Sequence, residues 1–182
     1  MISFRSKITQ KVLNYFFINP DIRCYINELA KILEVDPKNL YSKLKELEEK
    51  EGILQSEFQG QQRYFFLNKK YPHLKEYSSM FLKTVGFEKI LRDALLKIKG
   101  ITSAYIFGSY AKNKMDILSD IDILVVGDYS MIKLQGVINI LQKRTRREIN
   151  VVNMNFDEFE IKRNKKSELI YEIMKDKYIR VI

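Results

Sequence analysis

Apolar positions along this chain recur first at helical spacing, then alternate, and later pass through helix and strand periods again. In residues 6–17, SKITQKVLNYFF, Ile8, Val12, Leu13 and Phe16 mark one face of a helix that Asn19-Pro20 ends. A second helix is predicted from Asn27, whose side chain can cap NELAKIL, with Leu29, Ile32 and Leu33 as its stripe. Asp36-Pro37 places an N-cap acid before a proline in the first turn, so a third helix is expected to run to about Lys50 on Leu40, Leu44 and Leu47. The period then shortens. Ile53-Leu54 with Phe58, and Arg63 to Leu67, read as two strands around the turn Gln59-Gly60-Gln61-Gln62.

Three short helices followed by a β-hairpin, over residues 5–68, resemble the small winged helix-turn-helix domains of microbial transcription regulators. The resemblance implies that the third helix enters the DNA major groove by its N-terminal end. Lys38, Asn39, Tyr41, Ser42, Lys43 and Lys45 are then the candidate contacts to phosphates and base edges, with Arg63 on the wing. Glu46, Glu48, Glu49 and Glu51 make the rest of the helix acidic and confine such contacts to its first two turns. A domain that only packs against its neighbour, or forms a homodimer, is the alternative.

Tyr71-Pro72 breaks the wing strand, and Leu74, Tyr77, Phe81, Leu82 and Val85 return to helical spacing. Residues 71–85 lack the Gly/Ser or Pro richness of a tether and are expected to form a packed connecting helix. His73, in its first turn, is remote in sequence from any carboxylate cluster and reads as a surface residue. Phe87, Ile90, Leu91, Ala94, Leu95 and Ile98 make a further helix that Gly100 ends.

The segment that carries chemistry is residues 101–127, ITSAYIFGSYAKNKMDILSDIDILVVG. An apolar strand runs directly into Gly108-Ser109. After a polar stretch, Asp120-Ile121-Asp122 opens a second apolar strand. Carboxylates at i and i+2 of a strand point to one face and repel each other unless a cation lies between them. One histidine and one cysteine (Cys24) in 182 residues exclude thiolate zinc clusters, multi-histidine sites, CxxC redox pairs and intramolecular disulfides. The ligands of any bound metal are therefore mostly carboxylates, which points to Mg²⁺, Mn²⁺ or Ca²⁺. Glycine lets backbone N–H groups approach a phosphate, and the serine hydroxyl adds a donor.

Strand, Gly-Ser, spacer and Asp-x-Asp leading a strand resemble the nucleotidyltransferases of the DNA polymerase β superfamily, especially its minimal members, over residues 86–155. The resemblance implies that Gly108 and Ser109 bind a nucleoside triphosphate tail, with Lys112 one turn further on as an additional phosphate contact. It implies that Asp120 and Asp122 hold Mg²⁺, and that a nucleoside monophosphate passes to an acceptor with release of pyrophosphate. The family pattern also has a third carboxylate on a later strand. Here that strand is Glu148-Ile149-Asn150-Val151-Val152-Asn153, and the position falls on Asn150, with Glu148 two residues earlier as a substitute. Asparagine can coordinate through its carbonyl but cannot act as a base at neutral pH.

Ile132, Leu134, Val137, Ile138 and Leu141 form a helix between these strands, ending in the basic run Lys143-Arg144-Thr145-Arg146-Arg147. Cations suit a helix C-terminus, so the run reads either as a solvated end or as a contact to triphosphate or nucleic acid. Lys162, Arg163, Lys165 and Lys166 make a similar cluster, Ser167 to Lys175 a helix, and Tyr178–Ile182 a last strand.

The expected architecture is a two-domain α/β (α+β) chain. Residues 1–70 form a winged helix, 71–85 a connecting helix, and 86–182 a minimal nucleotidyltransferase with a small mixed sheet flanked by helices. The net charge of +9 divides into +3 over residues 1–70 and +5 over residues 86–182, with the remainder between them. That suits a nucleotide-handling site as well as a DNA-binding one. No apolar run approaches the length of a membrane span and no signal peptide is apparent, so a cytoplasmic location is expected. Two functions stay open: an active Mg²⁺-dependent nucleotidyltransferase carrying a DNA-binding domain, or a DNA-binding regulator or antitoxin-like module whose transferase fold is catalytically weak or inactive.

Overall fold

The computed structural model describes residues 5–165 and 169–182; Lys166 and Ser167 lie outside the described residues. The chain divides into two compact units, Met1–Glu88 and Lys89–Ile182.

The first unit begins with α1 (Lys7–Ile18), N-capped by Ser6, which accepts from the Thr9 N–H. Its buried face carries Val12, Leu13, Tyr15, Phe16, Phe17 and Ile18, and Asn19 closes it by donating to the Tyr15 carbonyl. β1 (Cys24–Tyr25) leads straight into α2 (Ile26–Leu33). The N-cap therefore falls on Tyr25 and not on Asn27, which lies exposed in the first turn. Lys11 donates to the Leu33 carbonyl at the other end of α2, a cation on a free helix C-terminus. α3 (Pro37–Lys45) starts as expected, with Asp36 accepting from the Asn39 N–H. Beyond Lys45 the chain widens into a π-helical turn, Glu46–Lys50, that keeps Leu47 buried.

β2 (Leu54–Gln59) and β3 (Gln62–Leu67) pair antiparallel from Leu54↔Leu67 to Gln59↔Gln62 around Gly60-Gln61. β1 adds to the other edge of β3, giving the order β1-β3-β2. Cys24 is buried there against the Tyr15 hydroxyl, and burial pushes its thiol up to about 11, so it is an inert core residue. α4 (Leu74–Thr84) packs on α1 through Phe81 and Phe17, whose rings meet edge-on at 5.3 Å. His73, exposed and left-handed at φ 55°, is its N-cap.

Arg63, the cation expected on the wing, is engaged within its own unit. Its Nε donates to Ser56 Oγ at 2.7 Å and its Nη2 to Glu48 at 2.6 Å, and its side chain is 23% exposed. It therefore ties β3 to β2 and to the π-helical turn. Arg63→Ala leaves a half-buried carboxylate without its partner. The expected loss is about 1–3 kcal/mol, read from urea unfolding of the full chain.

α5 (Phe87–Leu95) contains the division between the units. The second unit continues with β4 (Ile101–Phe107), the single turn α6 (Gly108–Ala111), β5 (Ile121–Gly127), α7 (Met131–Thr145) and β6 (Ile149–Met154). It ends with α8 (Phe156–Asn164), α9 (Leu169–Lys175) and the short β7 (Ile179–Arg180). The strands form one mixed sheet in the order β6-β5-β4-β7, with β5 and β6 parallel and the other pairs antiparallel. The α7 crossover supplies the long connection that a parallel pair needs.

Period-two alternation sorts the sheet's side chains. Tyr105, Leu124, Val126 and Met154 face Phe159 of α8 and Ile170 and Ile173 of α9 in one buried cluster. Tyr105 and Phe159 stack at 6.0 Å. The next cross-strand row on this face is Phe107, Asp122 and Asn150. The apolar face thus ends in a polar row.

Candidate active site

Asp122 lies on β5 opposite Phe107 of β4 and Asn150 of β6. Asp120 is two residues earlier, just before the strand, and so shares that face. Their carboxylates converge. The Asn150 amide nitrogen donates to Asp120 Oδ2 at 3.3 Å and to Asp122 Oδ1 at 3.4 Å. Among the described residues no lysine or arginine forms an ion pair with either acid. Burial pushes the Asp122 carboxyl up from its usual value; the Asn150 hydrogen bond opposes this, and the charge of Asp120 adds to it.

Gly108 stands at the turn from β4 into α6 with φ +68°, and a Cβ there would lie 2.3 Å from Asp122 Oδ2. Two independent reasons therefore require glycine: a left-handed backbone and the space taken by the carboxylate. Gly108→Ala is expected to cost at least about 1–2 kcal/mol from the backbone alone and to displace the Asp122 carboxylate, read as a lowered thermal midpoint. Ser109 follows in α6, half-buried.

Other residues singled out from the sequence fall elsewhere. Lys112 forms an ion pair with Asp176 at 2.5 Å, which holds the Asp176 carboxyl below the usual carboxylate range. Glu148 makes no hydrogen bond or ion pair to Asp120 or Asp122 among the described residues. Its backbone carbonyl accepts from the Ile121 N–H at 3.0 Å, and it lines an open hollow with Gln142, Arg146 and Arg147. The third position of the acid site is therefore filled by Asn150 and not by Glu148, because the register pairs Asp122 with Asn150.

One residue of the site was missed. Arg147, in the basic run read either as a solvated helix end or as a contact to triphosphate or nucleic acid, is only 7% exposed, and its Nη1 donates to the carbonyls of Ile117 and Ser119. The available signal was parity: Arg147 precedes the buried Ile149 by two and so points inward with it.

The donor set suits a hard divalent cation. Two carboxylates converge with no paired basic side chain among the described residues, beside an amide whose oxygen is a third hard ligand when turned inward. No group of three or more His, Cys, Asp or Glu side chains with metal-binding placement occurs among the described residues, as expected when the third position is asparagine.

On the N-terminal unit, Lys38, Asn39, Tyr41 and Ser42 are exposed along the start of α3. Lys43 and Lys45 are engaged within the helix, with Glu46 at 2.5 Å and Glu49 at 3.2 Å.

Residues 88–177 match the family model described as "Nucleotidyltransferase domain", just under half of the chain. The match spans the Gly108-Ser109 turn, both aspartates and Asn150. The C-terminal unit is thus similar to nucleotidyltransferase domains. Among solved structures, a toxin–antitoxin crystallised with AMP-PNP is 19% identical, covering 52% of this chain and 72% of that one with a TM-score of 0.39. A mutant of the toxin–antitoxin MntA-HpeT is 19% identical over 53% and 69%, with a TM-score of 0.36. A candidate nucleotidyltransferase from Sulfolobus solfataricus is 20% identical over 41% and 68%, with a TM-score of 0.29. No curated protein matches the sequence. Among the described residues, no helix is long and apolar enough to cross a membrane.

Proposed function

We propose that the C-terminal unit binds a nucleoside triphosphate with Mg²⁺ (or Mn²⁺) and transfers its nucleoside monophosphate to an acceptor. The N-terminal unit is read as a winged helix that contacts duplex DNA. The observation that carries the first reading is the convergence of Asp120 and Asp122 on one point, with no basic side chain among the described residues paired to either.

Asp120 and Asp122 would hold the cation, with Asn150 beside them. When bound, it stabilises charge on the attacking and leaving oxygens of an in-line displacement. Gly108 leaves room for the Asp122 carboxylate, and the Gly108-Ser109 turn offers N–H and hydroxyl donors to the triphosphate. The acceptor oxygen forms a bond to the α-phosphorus, and the bond from that phosphorus to the β-bridging oxygen breaks, releasing pyrophosphate. The acceptor proton has no base at residue 150, since an amide does not take it at neutral pH, and passes to water. Transfer is therefore slow.

The same asparagine favours a second reading, in which nucleotide binding is kept, transfer is lost, and the chain acts as a DNA-binding regulator. The helix–helix–helix–hairpin order, the β1 edge strand and the exposed Lys38, Asn39, Tyr41 and Ser42 support the DNA contact. The engaged state of Lys43, Lys45 and Arg63 narrows it to those four.

Labelled nucleotide with Mg²⁺ and candidate protein, nucleic-acid and small-molecule acceptors tests transfer. Incorporation abolished by Asp120→Ala supports the first reading. Tight Mg²⁺-dependent nucleotide binding without incorporation supports the second. Duplex binding followed against salt should weaken in Lys38→Ala, with the salt slope falling by about one. An unchanged slope removes α3 from the DNA contact.

A further inference from the structure

We propose that Arg147 is the positioning residue for Asp120, a role that rests on reading Asp120 and Asp122 as the metal–nucleotide site. Its side chain reaches the segment before β5 because of how α7 ends. Arg146 takes a left-handed conformation at φ 55° and returns its N–H to the Gln142 carbonyl, which turns the chain off the helix axis. The Thr145 hydroxyl donates to the Leu141 carbonyl and accepts from the Arg147 N–H, fixing the turn. Arg147 is thereby directed inward, where it is 7% exposed.

A terminal guanidinium nitrogen carries two hydrogens. Nη1 of Arg147 donates to the carbonyl of Ile117 at 2.9 Å and to that of Ser119 at 2.8 Å. The second contact matters most. The Ser119 carbonyl belongs to the planar peptide unit that ends at the Asp120 Cα, so holding that oxygen fixes the plane in which Asp120 begins. On the other side of Asp120, the Ile121 N–H donates to the Glu148 carbonyl at 3.0 Å. Both peptide units flanking Asp120 are thus gripped by consecutive residues, one through a side chain and one through backbone. The Asp120 carboxylate itself meets Asn150 two residues further on. Asp116 supports the same segment by accepting from the Leu118 N–H and the Ser119 hydroxyl.

The buried guanidinium donates to two loop carbonyls, and its charge adds to the Ser119 and Leu118 hydrogen bonds that hold the Asp116 carboxyl below the usual carboxylate range. Burying it is explained if the orientation of Asp120 requires a rigid fork. Lysine offers a point charge without that planar geometry.

The test uses the full chain with Arg147→Met and Arg147→Lys, and Leu134→Ala in the core of α7 as a variant that destabilises without touching the segment. Amide hydrogen exchange is read at Ile121 against Ile123 to Val126, and affinity is read for a non-hydrolysable ATP analogue with Mg²⁺. In Arg147→Met the Ile121 amide, which donates to the Glu148 carbonyl, should exchange at least about tenfold faster, with the β5 interior unchanged. Affinity should fall at least about tenfold, with Arg147→Lys between Met and wild type. Leu134→Ala should lower the thermal midpoint and leave affinity as it was. If Arg147→Met unfolds, Arg147→Lys carries the comparison. Unchanged exchange at Ile121, wild-type affinity in the Arg147 variants, or an equal loss in Leu134→Ala overturns the inference alone. A wild-type chain that binds no analogue overturns the reading of the site, and the inference with it.

Discussion

Asn150→Asp is expected to raise the rate of nucleotidyl transfer by about 100-fold, measured as label incorporated from an α-labelled nucleoside triphosphate at saturating Mg²⁺. A positioned general base contributes about 10²–10⁴ to such a step. Residue 150 lies in register with Asp122 and its side chain already reaches both acids. A carboxylate of nearly the same shape would keep that reach and exchange an N–H donor for a proton acceptor. The substitution also places a third negative charge beside two acids that pair with no lysine or arginine among the described residues, so it should lower the thermal midpoint in chelator at neutral pH and recover it with Mg²⁺. A rate that stays flat while Mg²⁺-dependent nucleotide affinity is retained would show that residue 150 is not where the acceptor proton leaves.

Asp122→Asn should separate stability from function in the opposite direction. Burial and the neighbouring Asp120 raise the Asp122 carboxyl in the folded state. A raised folded-state value means that the group's contribution to stability is complete at pH below its unfolded value, about 4, and is lost as pH rises through the folded value. At pH 7 the ionised carboxylate therefore costs the cation-free fold stability. Asp122→Asn should raise the thermal midpoint at pH 7 in chelator, and the difference should vanish near pH 3. The same substitution removes one of two converging hard ligands. Affinity for nucleotide with Mg²⁺ should fall by about 2–4 kcal/mol, roughly 30- to 1000-fold. A variant destabilised at pH 7 would contradict the assigned strain on Asp122.

The acid pair was legible because strand parity is strict: once Ile123 to Val126 form a core strand, Asp120 and Asp122 must share a face. Gly108 was legible as a phosphate-approach glycine, but its contact with Asp122 was not, since that depends on how β4 pairs with β5. The outward reading of two arginines ignored the same parity that located the acids. Arg63 shares its face with the buried Phe65 and Leu67, and Arg147 with the buried Ile149. A basic residue on an inward face needs internal partners, and both have them. By contrast, the pairing of Lys112 with Asp176 joins residues far apart in sequence, and no local pattern announces it. The two-residue β1 is too short for periodicity to register, and it moved the cap of α2 from Asn27 to Tyr25. The π-helical turn that ends α3 leaves the Leu40, Leu44, Leu47 stripe buried, so a helical pattern could not distinguish it.

Calorimetric titration of the full chain with a non-hydrolysable ATP analogue, with Mg²⁺ and then with chelator, bears most directly on the central claim that Asp120 and Asp122 form a metal–nucleotide site. Saturable binding that requires Mg²⁺, and is weakened at least about 30-fold in Asp122→Asn although that variant is fully folded, is the predicted result. Binding that is equal in chelator and in Asp122→Asn, or no binding of the analogue at millimolar concentration, would contradict it.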